Sequence, residues 1–315
     1  MTSFGLQLPN FTFGVPDAEM FGRVVELARA GEDSGFSSLW VMDHFYQLPA
    51  LGGADQPMLE AYTLLGALAT QTSRVSLGTL VTGVTYRNPA LLAKMVTTLD
   101  IVSGGRAVLG IGAAWHDVEH EGLGFDFPPV KERMDRLEEA VQICRAMFTE
   151  PSPSFEGRYY RIHDARNLPR PLQERGPRIM IGGSGERRTL KLVAQYADLC
   201  NINGDAPTIR HKIDVLRSHC RDVGRDPDEI TVTRLATLFV TGSDEETAQV
   251  RGFLEKAVGA EASAGFNVGR DEEIVDQVAE IVDAGVDELI FNLPLADADA
   301  VKRAGTLLTS RFGSP

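Results

Sequence analysis

The stretch RVSLGTLVTGVTYRNPALLAKMVTTLDIVSGGRAVLGIGAAWHD, residues 74–117, decides the fold. Its first part, 74–81, is rich in β-branched and apolar residues, which favour a strand. Asn88 and Pro89 then predict a helix start, as the N-cap and the first helical residue. A pair of glycines ends that helix, and 106–111 is again apolar, as in a strand buried on both faces. The stretch therefore predicts a right-handed βαβ unit.

The alternation of strands and helices continues on both sides of this unit. Strands are predicted at 4–9, 38–42, 74–81, 106–111, 178–181, 198–202, 230–240 and 288–293. Eight strands separated by helices indicate an α/β fold, a single (β/α)8 TIM barrel over residues 1–315. Insertions are predicted after strand 4, at 114–130, and before strand 5, at 151–176, where Pro-rich flanks suggest a hairpin. The Gly/Ala-rich segment 259–269 is predicted to be a loop.

Composition narrows the class of protein. The 43% hydrophobic and 24% charged residues are usual for a globular protein. The net charge of -13 disfavours nucleic-acid and anionic-membrane surfaces, which need a basic face. No signal peptide or membrane span is predicted. The three cysteines form no CxxC pair, which favours packed, reduced thiols and a cytoplasmic protein.

Candidate catalytic residues follow the second strand. Chemistry in parallel barrels lies at the carboxyl ends of the strands, where Asp43 and His44 are expected. An imidazole can donate to a cofactor ring or take a proton from a substrate hydroxyl near neutral pH. Asp43 is expected to orient His44. The alternative is a structural pair that ties the loop to the barrel rim.

The turn Gly182-Gly183-Ser184-Gly185 precedes a helix predicted to begin at Glu186. Glycines permit close backbone approach, and a helix N-terminus offers free N–H groups to an anion. Arg187 and Arg188 would lie in the first turn, where they oppose the helix dipole unless a phosphate is bound. The alternative is an ordinary tight turn with solvent-facing arginines.

Aromatic side chains follow three of the predicted strands. Phe11 and Phe13 follow the first strand, Phe45 and Tyr46 the second, and Trp115 the fourth. Together they could wall an apolar pocket for a flat ring. Alternatively, some of them fill the barrel mouth as core.

His116 and His120 lie four residues apart and would share one helix face, as metal ligands do. No third ligand follows at motif spacing, so a polar surface insertion is preferred and no metal is expected. The sequence also lacks a GxGxxG motif with its acidic partner, a GxSxG motif and a Walker A loop.

With these residues in hand, the sequence resembles the luciferase-like monooxygenase family, the bacterial luciferase superfamily, and within it the oxidoreductases that use coenzyme F420. The resemblance covers nearly the whole chain. It rests on FGLQLPN at 4–10, LWVMDHF at 39–45, LGTLVTGVTYRNPALLAK at 77–94, LGIGAAWHDVEHEGLGFDFPP at 109–129, FEGRYY at 155–160 and IMIGGSGERRTLKLVAQYADLCN at 179–201.

The resemblance implies a role for each matching position. Asp43 and His44 would contact the deazaflavin, with His44 as the catalytic residue facing the reactive ring. Leu80 and Val81 would be joined by a cis peptide that presses on the back of the ring, and Thr82 would lie near its edge. The turn at 182–185, Gly182-Gly183-Ser184-Gly185, would bind the phosphate, and the hairpin would shelter the cofactor.

Two departures from the family pattern bear on the substrate. Trp115 occupies the position nearest to an acid that some relatives carry, and Glu119 or His116 could substitute for it. After strand 6, Asn203-Gly204-Asp205 replaces the basic residues of the sugar-phosphate dehydrogenases. With Phe45, Tyr46 and Trp115 as its predicted pocket, the substrate should be less polar than a sugar phosphate.

The sequence thus predicts hydride transfer between F420 and an unknown, fairly apolar small molecule, by a homodimer as is common in the family. An FMN-dependent luciferase-like monooxygenase on the same barrel is the first alternative. A non-catalytic flavin-binding barrel is the second, and a metallohydrolase using His44, His116 and His120 is the third.

Overall fold

The computed structural model describes residues 2–263 and 265–313. Its strands are β1 Ser3–Leu8, β2 Ser38–Val41, β3 Ser76–Thr79, β4 Thr82–Gly83, β5 Ala107–Gly112, β6 Phe155–Glu156, β7 Arg161–Ile162, β8 Arg178–Gly182, β9 Leu199–Asn201, β10 Thr231–Val240, β11 Asn267–Gly269 and β12 Glu288–Asn292. Its α-helices are α1 Asp17–Asp33, α2 Ala61–Ala69, α3 Pro89–Ser103, α4 Asp117–Leu123, α5 Val130–Thr149, α6 Thr189–Tyr196, α7 Ala206–Val223, α8 Asp244–Val258, α9 Ala260–Ser263, α10 Asp271–Asp283 and α11 Ala298–Phe312.

Eight parallel strands close into a barrel, in the order β1-β2-β3-β5-β8-β9-β10-β12 and back to β1. The closing pair aligns Phe4 with Leu289, and the first pair aligns Gly5 with Ser38. The helices surround this barrel, so the predicted (β/α)8 TIM barrel is confirmed. The short strand β4 adds to β5, and β11 adds to the long strand β10.

Two hydrophobic cores hold the strands. The barrel interior is filled by Trp40, Val108, Met180, Leu199 and Ile290. A much larger core lies between the strands and the helices around them. Burial on both faces explains why the barrel strands are almost continuously apolar in sequence. Among the described residues, no helix is long and apolar enough to cross a membrane.

The structure confirms the predicted start of α3. The Asn88 side chain accepts a hydrogen bond from the backbone N–H of Ala90 at 2.9 Å, and Pro89 is the first helical residue. Gly104, with φ of 72°, ends the helix in the left-handed conformation that glycine adopts readily. The hairpin predicted before the strand at 178–181, which is β8 in the structure, is also present, as the antiparallel pair β6–β7.

Several predicted boundaries were wrong. The strand expected over 74–81 is limited to β3, and the chain resumes as β4 after Leu80 and Val81, whose peptide bond is cis. The loop expected over 259–269 contains α9 and β11, while residue 264 lies outside the described residues. Helix α10 was not predicted at all. The insertion at 114–130 contains the short helix α4.

A buried carboxyl group at the amino-terminal end of the barrel should make stability depend on pH. Glu288 is 7% exposed and accepts a hydrogen bond from Ser38. Burial raises the pKa of Glu288, and the bond from Ser38 only partly opposes it. An acid with a raised pKa in the folded state stabilises below its unfolded pKa and loses that contribution as pH rises.

We therefore expect Glu288→Gln to increase the free energy of unfolding more at about pH 8 than at about pH 4.5. Urea unfolding across this range measures the difference from the wild type. Glu272→Gln, at a carboxylate whose side chain is 91% exposed, is the matched control and should show no such trend. A pH-independent effect of Glu288→Gln would contradict the prediction.

Candidate active site

A cavity of about 460 Å³ opens at the carboxyl ends of the barrel strands. We call it the mouth cavity. Its wall is mostly apolar and comes from the strand ends, from α8 and from the segment after β12. The lining residues are Gln7, Pro9, Asn10, Met42, His44, Leu48, Ala50, Leu51, Leu80, Trp115, Leu235, Thr237, Phe239, Phe253, Leu254, Ala257, Val258, Phe266, Asn292, Pro294 and Leu295.

His44 presents its imidazole to this cavity in a fixed orientation. Its Nδ1 lies 2.7 Å from Oε1 of Glu119, and its side chain is 14% exposed. An ionised carboxylate only accepts hydrogen bonds, so Nδ1 carries the hydrogen and donates it. In the neutral ring, Nε2 is therefore the acceptor and is available to a bound molecule.

Glu119 is the group that orients His44, and it is fully buried in the first turn of α4. It also accepts hydrogen bonds from the backbone N–H groups of Phe45 at 2.7 Å and Tyr46 at 3.2 Å, and from the Tyr86 hydroxyl. Burial alone would raise the pKa of Glu119, but the bonds from His44, Tyr86 and Phe45 lower it to about 2. Glu119 is therefore a carboxylate at neutral pH.

Asp43 does not orient His44, contrary to the prediction. Its carboxylate is 3% exposed and is held by Arg87, whose two terminal nitrogens donate to it at 2.6 and 3.0 Å. Arg87 also donates to Glu60 at 2.6 Å. This paired charge ties the end of β2 to the segment before α3, so Asp43 has a structural place beneath the site.

The peptide bond between Leu80 and Val81 is cis. Leu80 lines the mouth cavity. The segment is accommodated by glycines of the neighbouring strands. A Cβ at Gly110 would lie 1.9 Å from the Thr79 carbonyl oxygen, and one at Gly182 would lie 2.7 Å from the Val81 side chain. Only glycine leaves room for the Thr79 backbone beside position 110 and for the Val81 side chain beside position 182.

The side chain of Thr82 is turned away from the mouth cavity. Its hydroxyl is buried and forms hydrogen bonds with the hydroxyls of Tyr62 at 2.7 Å and Thr79 at 2.8 Å. That Thr82 lies near the edge of a bound ring therefore stays a prediction, and only its backbone could make that contact.

The turn Gly182-Gly183-Ser184-Gly185 lies at the same end of the barrel, after β8, and Gly183 has φ of 106°. The helix behind it begins at Thr189, so the expected start at Glu186 was wrong. Arg188 donates to Asp135 at 2.6 Å, so its position needs no bound anion. The arginines therefore give no support to a bound anion, and phosphate binding by the turn stays a prediction.

Of the three predicted pocket aromatics, only Trp115 lines the mouth cavity. Its ring is 62% exposed and lies edge-on to the His44 ring, with 5.6 Å between centroids. Phe45 instead packs on Tyr86, with 5.0 Å between centroids. The hydroxyl of Tyr46 lies against Gly122 of α4, where a Cβ would be 2.6 Å away. Phe45 and Tyr46 thus anchor the insertion, which corrects the prediction.

His116 and His120 also hold the insertion. The ring of His120 is fully buried, with Nδ1 at 2.7 Å from the His116 carbonyl oxygen and Nε2 at 2.6 Å from the Thr85 hydroxyl. Both ring nitrogens are engaged within the protein. In the part of the chain that is described, no three His, Cys, Asp or Glu side chains form a group that could hold a metal ion.

The sequence pointed to Glu119 only as a possible substitute for the acid of the relatives, and it did not point to Tyr86 or to the α8 side of the cavity. The spacing of the two histidines did point to the insertion, and Glu119 lies between them. Its role depends on a contact with His44 that spans 75 residues of sequence. No local pattern predicts such a contact.

Two curated relatives carry the same name, F420-dependent glucose-6-phosphate dehydrogenase. The protein of Kineococcus radiotolerans is 37% identical over 171 residues, which cover 53% of this chain and 50% of the relative. This match therefore spans about half the length of the relative. The protein of Nakamurella multipartita is 30% identical over 317 residues, which cover 91% of each chain.

Solved structures share the fold. An F420-dependent secondary alcohol dehydrogenase in complex with an F420-acetone adduct superimposes with a TM-score of 0.80 at 21% identity, over 99% of this chain and 98% of that chain. An EDTA monooxygenase from Chelativorans superimposes with a TM-score of 0.85 at 14% identity, over 100% of this chain and 95% of that chain. The model of the luciferase-like monooxygenases matches residues 2–257, and the chain therefore belongs to the luciferase-like monooxygenase family.

Proposed function

We propose that this protein is an oxidoreductase that transfers a hydride between coenzyme F420 and a small, fairly apolar organic substrate. The observation that carries the proposal is His44, held by Glu119 with its Nε2 available in an apolar cavity. The names of the relatives from Kineococcus radiotolerans and Nakamurella multipartita support F420 as the cofactor.

The residues at the barrel mouth fit a flat, tricyclic ring. Leu80, which is joined to Val81 by the cis peptide, contributes apolar surface to the mouth cavity, and the glycines of β5 and β8 leave room for this segment. Leu235 and Phe239 of β10 provide further apolar surface. Val81, the backbone of Thr82 and the turn at 182–185 are proposed as further cofactor contacts, whereas Asp43 is proposed to support the site from beneath through Arg87. When bound, the deazaflavin supplies the two-electron hydride chemistry.

His44 is proposed to manage the proton that accompanies the hydride. In the direction of alcohol oxidation, Nε2 would take the hydroxyl proton, and the neighbouring Glu119 carboxylate would stabilise the resulting imidazolium. In the direction of carbonyl reduction, the same nitrogen would return a proton to the developing alkoxide. Trp115 and Leu254 would exclude water from this part of the cavity.

The lining of the mouth cavity supports an apolar substrate. Within the described part of the chain, no Lys or Arg lines it, and His44 is its one titratable group. A sugar phosphate would leave its anion without a cationic partner there, which is costly in an apolar cavity. We propose that the substrate is a small alcohol, aldehyde, ketone or enoyl compound.

We further propose that the chain forms one domain, that the protein is a homodimer and that it is cytoplasmic.

The test is a titration with F420 and, separately, with FMN, followed by tryptophan fluorescence. Trp115 lines the cavity and Trp40 fills the barrel interior, so ring binding should quench the emission of Trp115 most strongly. Trp115→Phe is the matched variant, since it should bind F420 but lose most of the quenching. Tight binding of F420 with weak binding of FMN is the expected result.

The other outcomes separate the alternatives. Tight binding of FMN alone would indicate an FMN-dependent monooxygenase. Binding of F420 with no change in its redox state on an alcohol and carbonyl panel would indicate a non-catalytic barrel. Binding of neither would overturn the cofactor assignment, although the barrel and its family membership would stand.

A further inference from the structure

Four hydrogen-bond donors meet at the Glu119 carboxylate, and they divide evenly between its two oxygens. Oε2 accepts from the backbone N–H groups of Phe45 and Tyr46. Oε1 accepts from Nδ1 of His44 and also from the hydroxyl of Tyr86. A carboxylate has about four acceptor positions, so all of them are filled from within the protein. Tyr86 and His44 therefore share one oxygen, and each bond affects the other.

The Tyr86 hydroxyl reaches that oxygen from another part of the chain, and its ring is closely packed. Tyr86 lies between β4 and α3, and a Cβ at Gly83 would be 2.6 Å from the ring. The ring packs on those of Phe45 and His120, with 5.0 and 4.7 Å between centroids. Burial and the Glu119 carboxylate raise the pKa of Tyr86, so its hydroxyl keeps the proton that it shares with Glu119. The hydroxyl is thus a preorganised donor to the carboxylate.

The second donor on Oε1 changes how strongly Glu119 acts on His44. A hydrogen bond to a carboxylate stabilises its negative charge, and the carboxylate then stabilises a nearby cation less. Without the Tyr86 hydroxyl, Glu119 would favour the imidazolium form of His44 more strongly. In that form both ring nitrogens carry hydrogen, so Nε2 cannot take a proton from a bound molecule.

The other titratable and charged groups around His44 do not replace this bond. Asp43 precedes His44, but Arg87 holds its carboxylate and also donates to Glu60. The ring of His116 lies 5.7 Å from that of His44, between centroids, and it is present with or without the Tyr86 hydroxyl. Within the described chain, His44 is the one titratable group that lines the mouth cavity. The charge of His44 therefore depends most directly on the carboxylate that Tyr86 also contacts.

We propose that Tyr86 is a positioning residue of this site: by sharing Oε1 of Glu119 with His44, it keeps His44 uncharged, with Nε2 free, at neutral pH. This inference rests on the proposed role of His44 in proton transfer. When a substrate hydroxyl gives its proton to Nε2, the O–H bond breaks and an N–H bond forms. Glu119 stays a carboxylate and Tyr86 keeps its proton throughout.

The first test needs no cofactor. NMR spectra of the full-length protein with 15N-labelled histidine follow the titration of each imidazole, and the spectrum of His44→Ala identifies the signals of His44. We expect Tyr86→Phe to raise the midpoint of the His44 titration by about 0.5–1 pH unit, because Glu119 loses the competing donor. Tyr196→Phe, at a half-buried tyrosine on α6, is the matched control and should leave the midpoint unchanged.

The wild-type spectrum supplies a check that does not depend on any variant. Neutral His44 should carry its hydrogen on Nδ1, since that atom donates to Glu119. The 15N shifts of the two ring nitrogens distinguish this tautomer from the one with hydrogen on Nε2. Finding the second tautomer would overturn the proposal, even if Tyr86→Phe failed to fold.

Turnover measured against pH is the second test. On the acid limb of the profile, Tyr86→Phe should be about three- to tenfold slower than the wild type, which is the same shift expressed as a rate. At higher pH, where His44 is neutral in both proteins, the two rates should agree within about twofold. A purely structural defect would instead lower turnover at every pH.

A double variant identifies the path of the effect. Because Tyr86 acts through Glu119, Tyr86→Phe should not move the His44 midpoint in the Glu119→Gln background. Persistence of the full rise in that background would overturn the proposal. An unchanged or lowered midpoint in Tyr86→Phe alone would do the same, as would an equal rise in Tyr196→Phe. If the wild type transfers no hydride, the proposed function fails, and the NMR midpoints still decide whether Tyr86 controls the charge of His44.

Discussion

We expect Glu119→Gln to lower turnover by about 100-fold or more, nearly as much as His44→Ala, with F420 affinity within about threefold of the wild type. The carboxylate accepts the Nδ1 hydrogen of His44 and so leaves Nε2 free to take a proton. An amide in its place can donate to Nδ1 and so favour the wrong tautomer of the ring. Steady-state kinetics and the fluorescence titration measure the two quantities.

The double variant makes this prediction stringent. If His44 and Glu119 act as one unit, the double variant should be no slower than the slower single variant. Glu121→Gln is the control, because that carboxylate lies exposed on the same short helix. Multiplicative losses in the double variant, or normal turnover in Glu119→Gln, would remove the pair from the proposed proton transfer.

The same variant should change the response to acid. The pKa of Glu119 is lowered to about 2 in the folded protein. Its contribution to stability is therefore complete above the unfolded pKa and is lost as pH falls from there toward the folded pKa. The stability deficit of Glu119→Gln should therefore be full near neutral pH. It should shrink as the solution is acidified below about pH 4.

Arg87→Met should be the most destabilising of the substitutions considered, by about 3–5 kcal/mol of unfolding free energy. It would leave Asp43 as a buried, unpaired carboxylate, and Glu60 would lose a hydrogen bond. Arg87 also lies over the Tyr62 ring, with 4.8 Å from its guanidinium carbon to the ring centroid. Urea unfolding at neutral pH measures the loss.

Two further variants identify its cause. Arg23→Met removes an arginine whose side chain is 52% exposed and paired with Glu26 on α1, and should cost less than about 1 kcal/mol. Asp43→Asn in the Arg87→Met background should restore part of the stability, because the stranded charge is then absent. Equal losses for Arg23→Met and Arg87→Met would show that the buried pair contributes little.

Local sequence signals predicted the parts of this fold that depend on near neighbours. Asn88 and Pro89 fixed the start of α3, where the Asn88 side chain caps the helix. The strands were recognisable because both their faces are buried. The cis bond after Leu80 followed from the resemblance to the family and not from any local pattern.

The contacts that define the site join distant parts of the chain, which is why the sequence did not reveal them. Asp43 and His44 are adjacent, yet their partners are 44 and 75 residues away, so the natural assumption that they pair with each other was wrong. Arg188, which was expected beside a bound phosphate, instead donates to Asp135 on another helix. Such pairings depend on how the barrel brings its loops together.

The contact between Glu119 and His44 has a consequence for the evolution and engineering of the enzyme. Loops at the barrel mouth are the parts that laboratory libraries and gene recombination exchange first to alter which compounds are accepted. Here the loop after β5 also carries the residue that orients the histidine. A grafted loop that lacks a carboxylate at the position of Glu119 would change the selectivity. It would also leave the His44 imidazole misoriented, because nothing would accept its Nδ1 hydrogen. Libraries that keep Glu119 and Tyr86 fixed should therefore yield a larger share of active clones.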